Sequence, residues 1–233
     1  MAQVIDPAQR LATVSFKPSI SPTLSLSNPA AKIELSLTLS ITWAAPGHEA
    51  EPLTFCAWET IFEVHPVDFG GMDMFSRARS VFGLISQDRD PARPILLGRF
   101  YMHWERDQSA DLREREGYDF VTVPSFESGS SVTLTHELSW ERIFRYEPRL
   151  TKEDLVPGER FRLLISETKR VGTLWWCWGD IESEDLKNKR LHAWAQHDDD
   201  TIVPEGNWKL REDTRRIAFE KTSDTPLVFE IVE

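Results

Sequence analysis

Residues 33–43 read IELSLTLSITW. Ile33, Leu35, Leu37, Leu39, Ile41 and Trp43 alternate with Glu34, Ser36, Thr38, Ser40 and Thr42. Successive side chains of a strand point to opposite faces. Strict alternation over this length therefore predicts a strand with one buried face and one face in water. In that phase Trp43 belongs with the core residues. The link AAPGHEAEP (44–52) is rich in turn formers. LTFCAWETIFEV (53–64) then reads as the returning strand of an antiparallel pair.

The pattern continues outward. ILLGRFYMHW (95–104) and YDFVTV (118–123) are strand-like. VTLTHELSW (132–140) alternates through Val132, Leu134, His136, Leu138 and Trp140. A Pro-Gly turn at 157–158 introduces a strand over 160–167, and TLWWCWGD (173–180) begins another. The end of the chain, over 214–232, offers two further short strands around a polar turn. Two regions, 65–94 and 180–213, are irregular, with a short strand or helix expected near 80–86 and room for short helices at 72–80 and 183–195. Many short strands joined by turn-rich links argue for a sandwich or a barrel. The 233 residues are read as one all-β domain.

Composition excludes several functions. The net charge of -11 repels phosphate backbones and anionic headgroups, so neither nucleic acid nor a membrane surface is expected as a partner. No run is long enough to span a bilayer. MAQVIDPAQRLATVSF lacks the charged start and apolar stretch of a secretory leader, which makes a cytoplasmic location the expectation. In that compartment Cys56 and Cys177 are read as reduced, buried thiols, with an inter-sheet disulfide of the immunoglobulin type as the alternative.

The order of these segments is familiar. LSLTLSIT is followed by FCAWETIF, a long link, YDFVTV, SVTLTHELS and LVPGERFRL. This resembles the Ig-like β-sandwich found beside the catalytic domain of deuterolysin-type metallopeptidases. It is also similar to uncharacterised stand-alone fungal proteins that close with a WW-x-[WY]-G stretch, matched here by Trp175, Trp176, Cys177, Trp178 and Gly179. The similarity covers about residues 30–180 and implies an Ig-like antiparallel sandwich with two long irregular insertions. It implies no activity, since fold alone does not carry function. The peptidase signature H-E-x-x-H is missing. In HELSW (136–140) Trp140 takes the second histidine's place, on a strand rather than a helix, so zinc is not expected there.

Other chemistries are equally unsupported. There is no phosphate-cradling G-x-x-x-x-G-K-[ST] or G-x-G-x-x-G, and no G-x-S-x-G elbow. His103-x-Glu105 and His197-x-Asp199 have local spacing for a metal site, but such pairs arise by chance among 38 acids. HDDD (197–200) reads as a solvated loop. No metal and no cofactor is expected. His65 and His103 are candidates for proton transfer, against the plainer reading of strand-end histidines bonded to backbone. His136, in phase with Leu134 and Leu138, is expected in the core as a satisfied neutral ring.

Nine tryptophans remain to be explained. Trp43, Trp58 and Trp140 fit a core. On a strand, Trp176 and Trp178 share one face and Trp175 and Cys177 the other, so something must cover the second face. That cover, and the apolar residues of 65–94, suggest a pocket for a hydrophobic small molecule lined by Trp58, Phe62, Met72, Met74, Phe75, Trp104, Trp176 and Trp178. Its enzymatic form is a cofactor-independent cyclase, of pericyclic or Diels–Alder type, working by holding one reactive conformer. The fungal resemblance places such chemistry in natural-product biosynthesis. The alternative is a non-catalytic Ig-like module that binds proteins through loops or an edge strand.

Overall fold

The computed structural model describes residues 9–57, 60–64, 82–88, 94–95, 97, 120–145, 147, 149–165, 171–173, 175–186, 189–191, 208–209 and 216–233. They form an all-β, sandwich-like fold. A four-stranded sheet has the order β13(Ile217–Lys221), β1(Ala12–Ile20), β3(Lys32–Ala44), β8(Val132–Ser139). A five-stranded sheet has the order β2(Thr23–Ser25), β14(Leu227–Val232), β9(Arg160–Ile165), β5(Phe82–Ser86), β6(Pro94–Ile95). A three-stranded sheet has β4(Leu53–Cys56) between β10(Trp176–Trp178) and β7(Phe120–Val123). A two-stranded ribbon joins β11(Arg190–Leu191) to β12(Trp208–Lys209).

The alternation of 33–43 has the predicted consequence. Ile33, Leu35, Leu37 and Leu39 are fully buried, and their partners across the ladder on β8 are Leu138, His136, Leu134 and Val132. Phe16, Pro18 and Ile20 of β1 continue the same face opposite Leu39, Leu37 and Leu35. This face packs with Leu84, Phe161, Leu163 and Phe229 of the five-stranded sheet, and with Leu53, Phe55 and Val123 of the three-stranded one, in one core. The wet face carries hydroxyl pairs instead, among them Thr38–Thr133 at 3.1 Å. Glu34 lies opposite Glu137. Lys32 bonds to Glu137 and also reaches Glu34, which relieves the repulsion between the carboxylates and raises the Lys32 pKa.

Four sequence expectations are corrected. First, 33–43 and 53–64 do not pair. Both flanks of β3 are taken by β1 and β8, and the link carries the chain into another sheet. Leu53, Thr54, Phe55 and Cys56 are all buried, which suits a central strand covered on both faces. The strand ends at Cys56, and a turn follows in which the Thr60 hydroxyl donates to Ala57 O (2.5 Å) and accepts from Phe62 N–H (3.1 Å).

Second, Trp43 is 40% exposed. Thr13 pairs with Trp43 but Val14 pairs with Ile41, so Thr42 is an extra residue in a β-bulge. One extra residue reverses the phase, turning Trp43 outward and Ala44 inward. Third, in 183–195, where the sequence leaves room for a short helix, the described residues hold one 3₁₀ turn, Glu184–Leu186, and then strand β11. Fourth, Trp140 does not extend β8. Ser139 caps a short helix, α1(Trp140–Phe144), by accepting from the Arg142 N–H. The helix expected at 72–80 lies outside the described residues.

The sandwich is also mixed rather than purely antiparallel: β1–β13 and β2–β14 pair in parallel. The N-terminal strands were not expected from the sequence, because Lys17-Pro18 interrupts β1. The Thr222 N–H donates to Phe16 O, so even-numbered residues of β1 present their backbone toward β13. The β13 pairing ends at Phe16, so the missing N–H of Pro18 falls beyond the ladder and costs no bond.

The β5–β9 edge is clamped by one ion pair. Asp88 accepts from Arg160 N–H (2.7 Å) and Arg160 Nη2 (2.9 Å). These bonds hold the Asp88 carboxyl below the usual aspartate range. A lowered folded pKa gives a contribution that is present above the unfolded value, near pH 4, and lost as pH falls through the folded value. We expect Asp88 to titrate below an ordinary aspartate by carboxyl-detected NMR, and Arg160→Ala to move it back up. An ordinary Asp88 titration in the native chain would refute the clamp.

Candidate functional site

The stretch 173–180 resolves into two faces. The Thr173 hydroxyl sits 2.7 Å from Cys56 O and accepts from Trp175 N–H, which starts β10 beside β4. Trp176 then pairs with Phe55 and Trp178 with Leu53, placing both tryptophans on the side of the main core. Trp176 is fully buried there, edge-on to Trp178 at 5.7 Å. Trp178 also stacks on the His48 ring at 4.7 Å, and His48 Nδ1 lies 3.2 Å from Glu51.

The second face is covered by the chain itself. Gly179 has φ of 110°, a value that side chains disfavour, and its N–H donates to Pro52 O (2.8 Å). The backbone therefore turns sharply after Trp178. Ile181 and Leu186 fold back onto Cys56, Phe120, Trp175 and Cys177 in a separate small cluster. Phe120 meets Trp175 edge-to-face at 5.5 Å. Cys56 lies opposite Phe120 and two positions along β4 from Thr54, the partner of Cys177, in the same sheet, and both remain buried thiols. The inter-sheet disulfide alternative is thus not realised.

Beside this cluster lies a half-open cleft of about 520 Å³. It forms where the chain passes from β7, the last strand of the three-stranded sheet, to β8, the last strand of the four-stranded sheet. Phe120 and Val121 of β7, Val132 and Leu134 of β8, and Phe62 and Ile181 supply most of its apolar wall. Its described polar lining is Thr122, Asp180 and Glu182. Thr54 Oγ1 donates to Gly179 O (2.8 Å), so the Thr122 hydroxyl, 2.8 Å away, must give its own proton to Thr54. Asp180 Oδ1 accepts from Glu182 N–H (2.9 Å).

Of the residues expected to bind a ligand, Phe62 lines this cleft. Trp176 is enclosed in the core and Trp178 packs on His48; neither lines it. Trp58, Met72, Met74, Phe75 and Trp104 lie outside the described residues, as do His65 and His103. His136 is buried in the core with Nε2 3.1 Å from Ile61 O, as expected of a satisfied ring. Among the described residues no group of three or more His, Cys, Asp or Glu side chains is placed to hold a metal ion. No described helix is long and apolar enough to cross a membrane.

Sequence reasoning missed Val64, Phe120, Val132, Leu134 and Ile181 as wall residues. No signal in the sequence separates them from core, because each is an apolar residue where an apolar residue is expected. What distinguishes Val132 and Leu134 is that β8 is the end strand of its sheet among the described residues, and both are half-buried on its inward face.

Compared with known proteins, the chain matches no family model, no curated protein and no solved structure.

Proposed function

We propose that the β7–β8 cleft binds a hydrophobic small molecule. One observation carries this reading: a volume of about 520 Å³ walled mainly by apolar side chains, with Thr122, Asp180 and Glu182 as its described polar lining. Ligand sites have this size and composition, whereas gaps in a packed core are much smaller. The enzymatic form of the reading is cofactor-independent cyclisation, in which apolar walls select one reactive conformer of the substrate.

Filling the cleft tests the proposal. Leu134 is half-buried at the wall, packed against the edge of the core, so Leu134→Trp adds bulk there without replacing a fully buried residue. Calorimetric titration with 2-naphthylmethanol should give measurable binding to the native chain and at least a roughly tenfold loss in the variant, about 1.4 kcal/mol. Equal affinity in both chains would rule the cleft out as the site.

A second reading has its own support. Among the described residues β7 and β8 have no strand on their outer sides, so the cleft is flanked by two unpaired edges. An extended peptide could add to either edge while its side chains enter the cleft. Binding of a short apolar peptide but not of naphthyl probes would favour this reading over the first.

A further inference from the structure

We infer that the outer edge of β8 is a dimer interface, at which a second copy of this chain pairs its own β8 antiparallel across a twofold axis. The inference does not depend on what the cleft binds.

The hydrogen-bonding pattern fixes which backbone groups this edge presents. The Ser21 N–H donates to Glu34 O (3.0 Å), so even-numbered residues of β3 over 34–40 face β1 and odd-numbered ones face β8. Val132, Leu134, His136 and Leu138 lie opposite Leu39, Leu37, Leu35 and Ile33, and their N–H and C=O groups are turned to β3. The N–H and C=O groups of Thr133, Thr135 and Glu137 therefore point away from the sheet. Among the described residues no strand meets them, and Thr133 and Thr135 are exposed.

Edge strands invite pairing, and proteins blunt those that must stay free. The other end strands of the three larger sheets are short: five residues in β13, four in β7, three each in β2 and β10, and two in β6, which starts at Pro94. β8 runs for eight residues. It contains no proline and no lysine, and its register with β3 is unbroken from Val132 to Ser139. Its one carboxylate, Glu137, is bonded to Lys32. Proline, lysine and bulge, the devices that keep an edge from pairing, are all missing from it.

The edge is also complementary to itself. With Thr135 on the axis, Thr135 meets its own copy and Thr133 meets the second copy's Glu137. Each such pair exchanges two backbone hydrogen bonds, and no two carboxylates stand opposite. Ser139 lies beyond this overlap and stays free to cap α1. A twofold pairing uses the same edge on both chains, so association closes at two. β3 already holds β8 straight, so a second copy brings a pre-formed strand, whereas a loose peptide must first be ordered.

Sedimentation equilibrium of the full chain tests the inference. The native chain should pass from monomer to dimer with a dissociation constant on the order of tens of micromolar, as suits a small interface. Thr135→Pro removes an N–H that β3 does not use and should weaken the dimer at least about tenfold. Thr135→Lys keeps the backbone but sets two like charges opposite each other at the axis, with the same result expected. Circular dichroism melts of dilute samples report the fold, and if the proline variant unfolds the lysine variant decides. Amide hydrogen exchange reads the register: Thr133, Thr135 and Glu137 should slow as concentration rises, while Leu134 and His136 stay slow throughout. A monomer at every concentration overturns the inference and leaves the edge to a peptide from another protein. A dimer that the folded variants keep at native strength overturns it too, as does exchange at 133, 135 and 137 that ignores concentration.

Discussion

Trp176→Ala is expected to destabilise the protein by about 3–5 kcal/mol, the range for removing a large aromatic side chain from a core. Trp176 is fully buried. Its neighbours across β10 and β4 are held by a ladder, with Trp176 opposite Phe55 and Trp178 opposite Leu53, so they cannot close the gap without breaking backbone pairing. Trp178 would also lose its edge-to-face contact. In a domain of this size each kcal/mol shifts the midpoint by about 2–4 °C. A fall of roughly 6–20 °C should therefore appear in a thermal melt followed by far-ultraviolet circular dichroism. A shift of less than about 3 °C would mean that Trp176 does not anchor the core. The sequence reading of Trp176 as a ligand contact predicts that small shift, together with lost binding.

Phe62→Ala has a comparable cost and a second effect. Phe62 is buried, with ring contacts to Phe16 at 5.5 Å, Phe55 at 5.5 Å and Phe219 at 5.1 Å. Truncation should cost about 3–5 kcal/mol through lost burial and the cavity left behind. Phe62 also lines the cleft, so the new space can merge with it. Larger apolar ligands should then gain affinity relative to 2-naphthylmethanol, and their binding should recover part of the lost stability by mass action. Denaturant midpoints with and without a bulky ligand measure both effects. A destabilised variant with unchanged ligand-size preference would separate Phe62 from the cleft.

How far the sequence could lead is visible at particular residues. The alternation of Ile33 to Leu39 specified the face of β3 correctly, because a side-chain period of two is dictated by strand geometry alone. It failed at Trp43, because a bulge depends on the partner strand, and β1 was not foreseen. β3 and β4 were paired wrongly for a related reason. Sequence adjacency favours hairpins, yet pairing is decided by which strands occupy the flanks. The division of 173–180 into two faces was legible, and the need for a cover on one of them was too. What supplies the cover was not, since Ile181 and Leu186 return only because Gly179 permits the turn. The cleft was hidden most completely. It arises from the meeting of two end strands, and no residue type marks an end strand.

The first strand of the chain sits between β13 and β3, and the last lies against β2. Arg10 reaches Glu220 across 210 positions of sequence, and Ala12 pairs with Ile217. Neither large sheet can be completed until residues 217–232 have left the ribosome. During synthesis the apolar face of β1–β3 must wait, with β1 lacking its parallel neighbour, while most of the chain is still being made. Folding dominated by such distant pairings is slow and leaves a strand edge open to other chains. The wait falls on the strand that carries the Lys17-Pro18 break, and a charge and a proline on an open edge are features that discourage pairing with a stranger. The interruption that disguised β1 in the sequence is thus well placed to protect the nascent chain.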